Sequence, residues 1–284
     1  MGLVRRLVGI SIFAFLACRG SSQAQTSALS FPPFEQWKSA VLSCNTGELQ
    51  GLYSNSPAAQ IKAPAGTVDA NTDIAFWTGL RSQKLQLDVV ASISPQPGLE
   101  ELQLRVEIHP PGQRVNYFSE EQLWQQQGGP WRLAAAQRTK PTTLQLPVSV
   151  DDRIYPKTDA RAEIQRALTE AGKQHERIIV VFGADWCYDC HVLDAAFHRP
   201  DLAAMIRGNF EVVHVDVGEG DKNQDLMQEY HVPMKKGIPA LAVLDTDGKL
   251  LYSQENGEFE NARAMSQDDF VAFLNKWKPG TRND

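Results

Sequence analysis

Apolar and polar positions change rhythm twice along the chain. From Phe34 to Cys44, the residues Phe34, Trp37 and Val41 recur at intervals of three and four, the period of a helix. A short helix is expected over Glu48 to Tyr53. A third is expected over Asn71 to Arg81, with Asn71 or Thr72 as N-cap and Ile74, Phe76, Trp77 and Leu80 as its apolar residues. Strict alternation then takes over. Leu85, Leu87, Val89 and Ala91 alternate with mostly polar neighbours, as do Leu102, Leu104, Val106 and Ile108. Val115 to Gln126 and Trp131 to Gln137 continue the series, and the Pro/Gly clusters at 95–98, 110–112 and 128–130 supply the turns.

Beyond residue 157 helices and strands alternate. Asp159 to His175 reads as a helix, with Ile164 and Leu168 flanked by Ala160, Ala167 and Ala171. Arg177 to Ala184 contains the continuous run Ile178-Ile179-Val180-Val181-Phe182, the pattern of a strand buried on both faces. A helix starts at Cys187 and runs to Phe197, Pro200 interrupts it, and Asp201 to Arg207 continues helically. Phe210 to Val217 is a second buried strand and Asn223 to Tyr230 a helix. Ala240 to Leu244 and Leu250 to Ser253 form a hairpin around Asp247-Gly248, and Ser266 caps a last helix to Trp277, with Asp269 three residues on. Between the halves, Pro141, Pro147 and Pro156 disfavour helix. The expected organisation is one domain over 31–140, an extended linker over 141–157 and a second domain over 158–279. Few core contacts should cross such a linker, so the halves are expected to fold independently.

The order of the first half, helices and then a curved antiparallel sheet, resembles the nuclear-transport-factor-2-like cone, also called ketosteroid isomerase-like. Gly129-Pro130-Trp131-Arg132-Leu133 is similar to that fold's final hairpin. The resemblance implies an α+β domain, and a fold of this kind does not by itself assign a function. Asp88, Glu107 and His109 alternate away from the apolar face, so a solvated surface is the favoured reading for them.

The chain has 284 residues, 42% hydrophobic and 22% charged, as in ordinary globular proteins. Residues 1–24 read as an export signal: Arg5 and Arg6, then an apolar run from Val8 to Ala17 too short to span a bilayer, then Ser22-Gln23-Ala24 before a cleavage site at Gln25. A second reading centres on Cys18. Phe15-Leu16-Ala17-Cys18 resembles a bacterial lipobox and would make Cys18 a lipid anchor. Either way the protein is expected outside the cytoplasm, in the periplasm. Cleavage leaves 25 basic against 34 acidic residues, a balance that argues against nucleic acid as a partner. Four cysteines do not make a disulfide-stapled scaffold. Cys44 follows an apolar helix and reads as a buried inert thiol.

The chemistry concentrates in Phe182-Gly183-Ala184-Asp185-Trp186-Cys187-Tyr188-Asp189-Cys190. Cys187 falls at the start of a helix, where unpaired N–H groups and the helix dipole favour a thiolate. Cys190, one turn later, can close a disulfide with it. This run resembles the thioredoxin family, and Gly237-Ile238-Pro239-Ala240-Leu241 is similar to the family loop whose proline is cis. The resemblance covers about residues 158–279. It implies an α/β thioredoxin-like fold, so the expected fold class is two domains, an α+β cone followed by that fold. It further implies Cys187 as nucleophile, Cys190 as resolving thiol, a Cys187–Cys190 redox disulfide, and Trp186, Ile238 and Pro239 as its frame. Three departures stand out. Val181 occupies the place of the family's buried acid. Tyr188-Asp189 replaces Gly-Pro, and the Asp189 charge should oppose thiolate formation. Pro233-Met234-Lys235-Lys236 lengthens the stretch before Pro239. His214 is a candidate proton relay, with a satisfied core histidine as its alternative.

Cys187-Tyr188-Asp189-Cys190-His191 also fits the c-type haem attachment pattern, and Cys187, Cys190, His191 and His198 could be read as zinc ligands. Neither reading uses Trp186 or the Gly-Ile-Pro loop, so no metal and no cofactor is expected. The expected function is thiol–disulfide exchange on protein disulfides, with an unidentified thiol as electron donor. Reductase, oxidase and isomerase share these residues across potentials of about −270 to −120 mV. Ile238 before Pro239 resembles the reducing members. The rival reading is a non-catalytic binding module, the cone holding a ligand or partner and the thioredoxin-like half serving to dock.

Overall fold

The computed structural model describes residues 31–280. Residues 1–30, among them the segment read as an export signal and Cys18, and residues 281–284 lie outside the described residues. The first half runs α1 (Pro32–Leu42), α2 (Thr46–Leu52), β1 (Gln60–Ala63), β2 (Gly66–Val68), α3 (Ala70–Gly79), β3 (Lys84–Ile93), β4 (Leu99–His109), β5 (Asn116–Gln126) and β6 (Trp131–Arg138). Its six-stranded sheet has the order β2-β1-β6-β5-β4-β3, antiparallel except where β1 lies parallel to β6. The second half runs α4 (Ala160–Gln174), β7 (Arg177–Gly183), α5 (Tyr188–Phe197), α6 (Pro200–Ile206), β8 (Phe210–Asp216), α7 (Gln224–Glu229), β9 (Ala240–Leu244), β10 (Leu250–Ser253) and α8 (Gln267–Trp277). Its sheet has the order β10-β9-β7-β8, with β7 parallel to β8 and antiparallel to β9. The fold is thus a cone with a curved sheet followed by an α/β thioredoxin-like domain with a mixed sheet.

Local signals account for most of these elements. Every residue of β7 from Ile178 on is buried, as a central strand between β9 and β8 must be. Ser266 caps α8 in a reciprocal box with Asp269. The cap of α3 differs from expectation. Asp69 accepts the Thr72 N–H at 2.8 Å, so Asn71 and Thr72 lie inside the first turn. The short strands β1 and β2 have no counterpart in the sequence reading. They are four and three residues long, too short to show a period, and β1 is recruited by pairing with β6. Cys44 differs too. It is half-buried at the end of α1 with a left-handed φ of 54°, and its Sγ lies 3.8 Å from the Thr78 carbonyl.

The concave face of the first sheet closes over Phe34, Trp37, Trp77, Phe118 and Trp124, all essentially inaccessible. Within this aromatic core sits a buried ionic network. The Arg138 guanidinium reaches Asp73 at 2.6 Å and Glu120 at 2.8 Å, and covers the Phe76 ring at 3.9 Å. Tyr53 donates its hydroxyl to Asp73 at 2.7 Å, and Gln122 donates to Glu120 at 2.8 Å. Two carboxylates thus share one cation in a dry place.

The opposite face of that sheet is not the solvated surface expected from the alternation. Gln103, Arg105 and Ser119 are buried there. Arg105 pairs with Asp88 at 2.8 Å and with Glu107, which in turn meets His109 at 2.6 Å. What covers this face is the stretch 141–157 and the second half of the chain. Thr142 exchanges backbone bonds with Tyr117 at 2.7 and 2.8 Å. Leu144 and Leu146 are fully buried, and Arg105 Nε donates to the Leu146 carbonyl at 2.7 Å. Val90, Tyr117, Leu144 and Leu146 belong to one buried cluster with Cys187, Tyr188 and Phe259. The expectation of few core contacts across the proline-punctuated stretch therefore does not hold. Proline keeps that chain extended, but the leucines between the prolines enter the core that the second half builds around the cysteine pair.

Two outcomes follow from these cores. Burial outweighs Arg138 and pushes the Glu120 carboxyl up to about 7, with Asp73 adding to the rise. A carboxyl whose folded pKa is raised contributes its full stability below its unfolded value and loses it as pH climbs towards the folded one. Chemical denaturation should therefore show stability falling between about pH 4.5 and 7, by on the order of 1 kcal/mol or more, and Glu120→Gln should flatten that slope. Leu146→Ala, which empties a fully buried site, should cost about 2–5 kcal/mol in the same measurement. A cost below about 0.5 kcal/mol, typical of surface sites, would mean the covering stretch is not part of the core.

Candidate functional site

The site forms where β7 runs out and α5 begins. Cys187 is the N-cap of α5, in extended backbone, and its Sγ accepts the Cys190 N–H at 3.1 Å. The two sulfurs are joined in a disulfide, with Cα atoms 5.2 Å apart. Cys187 sits at the helix mouth and Cys190 one turn deeper, against the core. The free N–H groups of the first turn and the helix dipole thus act directly on the Cys187 sulfur.

Two further segments frame the pair. The Ile238–Pro239 peptide bond is cis, as the resemblance implies, and the Ile238 carbonyl oxygen lies 3.5 Å from Cys187 Sγ. Gln254 holds this loop, donating to the Pro239 carbonyl at 3.1 Å and accepting the Leu241 N–H at 3.2 Å. Trp186 stands outside with 49% of its surface exposed, its indole N–H donating to the Gly218 carbonyl at 3.1 Å. The structure therefore brings Cys187, Cys190, Ile238 and Pro239 together and sets Trp186 on the rim. His214 lies on β8, half-buried. Its Nε2 is 3.6 Å from Asp194, and its ring meets the edge of Tyr155 with centroids 5.3 Å apart. Burial pushes the His214 pKa down, with Asp194 opposing and His198 assisting.

The Asp189 charge behaves differently from expectation. It is buried and clamped by Arg263, whose Nε lies 3.0 and 2.9 Å from the two carboxylate oxygens and whose backbone N–H donates at 2.8 Å. A charge neutralised this closely opposes a neighbouring thiolate far less than a bare one. The same guanidinium reaches across to Glu121 at 2.8 Å and to Gln103, both on the sheet of the first half. Asp189 and Glu121 keep Arg263 firmly protonated despite its burial. The Arg263 guanidinium also faces the Tyr188 ring at 5.6 Å, and the Tyr188 hydroxyl donates to the Pro147 carbonyl at 2.9 Å. Both residues between the cysteines are thus held by parts of the chain far away in sequence.

Arg263, Gln254 and Tyr155 are the site residues that sequence reasoning missed. Arg263 lies in a single 3-10 turn, Ala262–Ala264, with no motif around it. The competing metal readings find their histidines engaged. His191 donates Nε2–H to the Asp185 carbonyl at 2.7 Å, and His198 is exposed and bonded to Asp194. Among the described residues no cluster of three or more His, Cys, Asp or Glu is arranged to hold a metal.

Comparison with known proteins agrees with this geometry. A family model described as thioredoxin-like matches residues 159–246. The thiol:disulfide interchange protein DsbD 2 of Pseudomonas aeruginosa is 26% identical over 119 residues, which is 41% of this chain and only 18% of that protein's length. A crystal structure of a disulphide isomerase from Xylella fastidiosa is 38% identical and is covered over 97% of its length by 44% of this chain, with a TM-score of 0.43. The first half is similar to an NTF2-like protein from Rhodospirillum rubrum, at 15% identity and a TM-score of 0.32 over 37% of this chain and 93% of that one. Through its second half, with the Cys187–Cys190 pair at the head of α5, the chain belongs to the thioredoxin-like family.

Proposed function

We propose that this chain is an extracytoplasmic thiol–disulfide oxidoreductase that reduces disulfides in protein substrates. The observation that carries the reading is the disulfide between an N-cap cysteine and a cysteine one turn deeper, facing the Ile238–Pro239 loop. In the reduced protein the Cys187 thiolate attacks a substrate disulfide. One new S–S bond forms, the substrate bond breaks, and the leaving thiolate takes a proton from solvent. Cys190, deprotonated, then attacks Cys187. The second substrate sulfur leaves, and two electrons have passed from the pair to the substrate. An external dithiol returns them. The exposed Trp186 and the Ile238 backbone offer the surface along which a substrate chain lies. His214, kept neutral by burial, is available to receive a proton.

The names of two relatives, a thiol:disulfide interchange protein and a disulphide isomerase, support the reaction class. The reductive direction rests on Ile238 before Pro239. The location rests on the export reading of residues 1–24. No helix among the described residues is long and apolar enough to cross a membrane. In this reading the first half is not a separate module: its sheet supplies Glu121 and Gln103 to Arg263 and so shapes the dipeptide between the cysteines.

Insulin reduction with dithiothreitol tests the activity. Wild type should turn over, and Cys187→Ser should lose at least 100-fold; equal rates sink the proposal. Cys190→Ser should accumulate mixed disulfides through Cys187, and trapping mainly through Cys190 in the Cys187→Ser protein would reverse the roles. Arg263→Ala strands Asp189 as a buried unpaired charge and should cost about 3–5 kcal/mol in chemical denaturation. The double variant Asp189→Ala/Arg263→Ala should recover part of that loss.

A further inference from the structure

Tyr155 lies in the stretch between the halves, yet its ring is buried beneath the cysteine pair. Three features place it there. Asp185, in the loop before Cys187, accepts the backbone N–H groups of Ile154 and Tyr155, each at 3.0 Å. The ring stands edge-on against His214. Gly183, the last residue of β7, leaves the space the hydroxyl occupies: a Cβ built on Gly183 would fall 2.1 Å from the Tyr155 hydroxyl and 2.8 Å from Cys190 Sγ. The hydroxyl and that sulfur are therefore less than 5 Å apart. The hydroxyl is also one of the few buried polar atoms among the described residues with no hydrogen-bond partner. A buried hydroxyl without a partner is costly and calls for an explanation.

We infer that Tyr155 is a catalytic residue of the redox pair, its hydroxyl donating a hydrogen bond to the Cys190 sulfur whenever the Cys187–Cys190 disulfide is open. The inference rests on the proposed thiol–disulfide exchange. When the thiolate of an external dithiol attacks Cys187, a new S–S bond forms to Cys187 and the bond to Cys190 breaks. The electron pair goes to Cys190, which leaves as a thiolate in an apolar place. Val181 stands where the family's acid would be, so no side-chain acid waits there. The Tyr155 O–H is the donor at hand. The freed sulfur is no longer tied to Cys187 and can turn towards it. The donor's second thiolate then attacks the mixed disulfide, leaving the pair reduced by two electrons and the donor oxidised to its disulfide. The groups around the hydroxyl suit a donor. Burial, with Asp194, Asp185 and Asp216 nearby, pushes the phenol well above its ordinary pKa and keeps the proton on oxygen. His214 lines the same pocket, its ring perpendicular to that of Tyr155.

The hydroxyl thus acts on the reduced form, and in two ways. It stabilises the leaving thiolate, which speeds opening of the disulfide, and it stabilises the dithiol state, which raises the reduction potential. The test uses the whole protein and Tyr155→Phe, which removes one oxygen and keeps the ring. Oxidised Tyr155→Phe should react with dithiothreitol about tenfold more slowly than wild type. Its equilibrium with the dithiothreitol couple should shift about tenfold towards the disulfide, a potential about 30 mV more negative. Gly183→Ala, which pushes the hydroxyl aside, should shift both readings the same way; if it fails to fold, Tyr155→Phe decides alone. A Tyr155→Phe protein within twofold of wild type in both readings overturns the inference, as does lost thermal stability with an unchanged potential. A wild type that does not reduce insulin at all fails the underlying exchange reading instead, so the two failures are distinguishable.

Discussion

A guanidinium buried in a protein needs anions and acceptors around it, because desolvation must be offset by bonds to nearly every N–H it carries. Arg263 meets that constraint with one carboxylate from each half of the chain, Asp189 on one side and Glu121 on the other, and with the Gln103 side-chain carbonyl. Much else follows from it. The cation cancels the charge that Asp189 places between the two redox cysteines. It also fixes the head of α5 against β4 and β5, since a displacement of either half would strand a charge. The dipeptide Tyr188-Asp189 is thereby a docking element: the ring packs under Arg263 and the carboxylate binds it.

The sheet of the first half makes this docking available by using both of its faces. One face closes on aromatic residues and on the Asp73–Arg138–Glu120 network. The other carries Arg105, Gln103, Glu107 and Glu121. Antiparallel sheets commonly leave one face to water. Here the central part of the polar face is covered, and Asp88, Arg105, Glu107 and Glu121 pair with one another or with Arg263. Arg105 is the counterpart of Arg263 on this face. It joins Asp88 and Glu107 to the Leu146 carbonyl and stacks on Tyr117 at 5.0 Å.

The stretch 141–157 is the third party. Its prolines keep it extended, which leaves its carbonyls free to accept from Arg105 and Tyr188 and its leucines free to enter the core. At its far end Asp185 grips the backbone at Ile154 and Tyr155 and sets the phenol in the gap left by Gly183. A connecting segment thus packs beside the cysteine pair.

Apart from β1 and β2, the order of helices and strands was legible in the sequence alone, as were the buried run of β7, the capping of α8 and the Cys187–Cys190 and Ile238–Pro239 motifs. Each rests on neighbours within a few residues, where the helix and strand periods and the cap geometry act. The alternation along β4 likewise showed which residues share a face, Leu102 with Leu104 on one and Gln103 with Arg105 on the other. It could not show what lies over the second face, because period says nothing about a partner. Only the tertiary structure decided that. The partners of Arg263 lie 74, 142 and 160 residues away, and the Tyr155 hydroxyl comes within 5 Å of the Cys190 sulfur only because Gly183, at the end of β7, leaves room. Such contacts are selected by shape and by the cost of burying an unpaired charge in three dimensions, and they leave no local pattern in the chain.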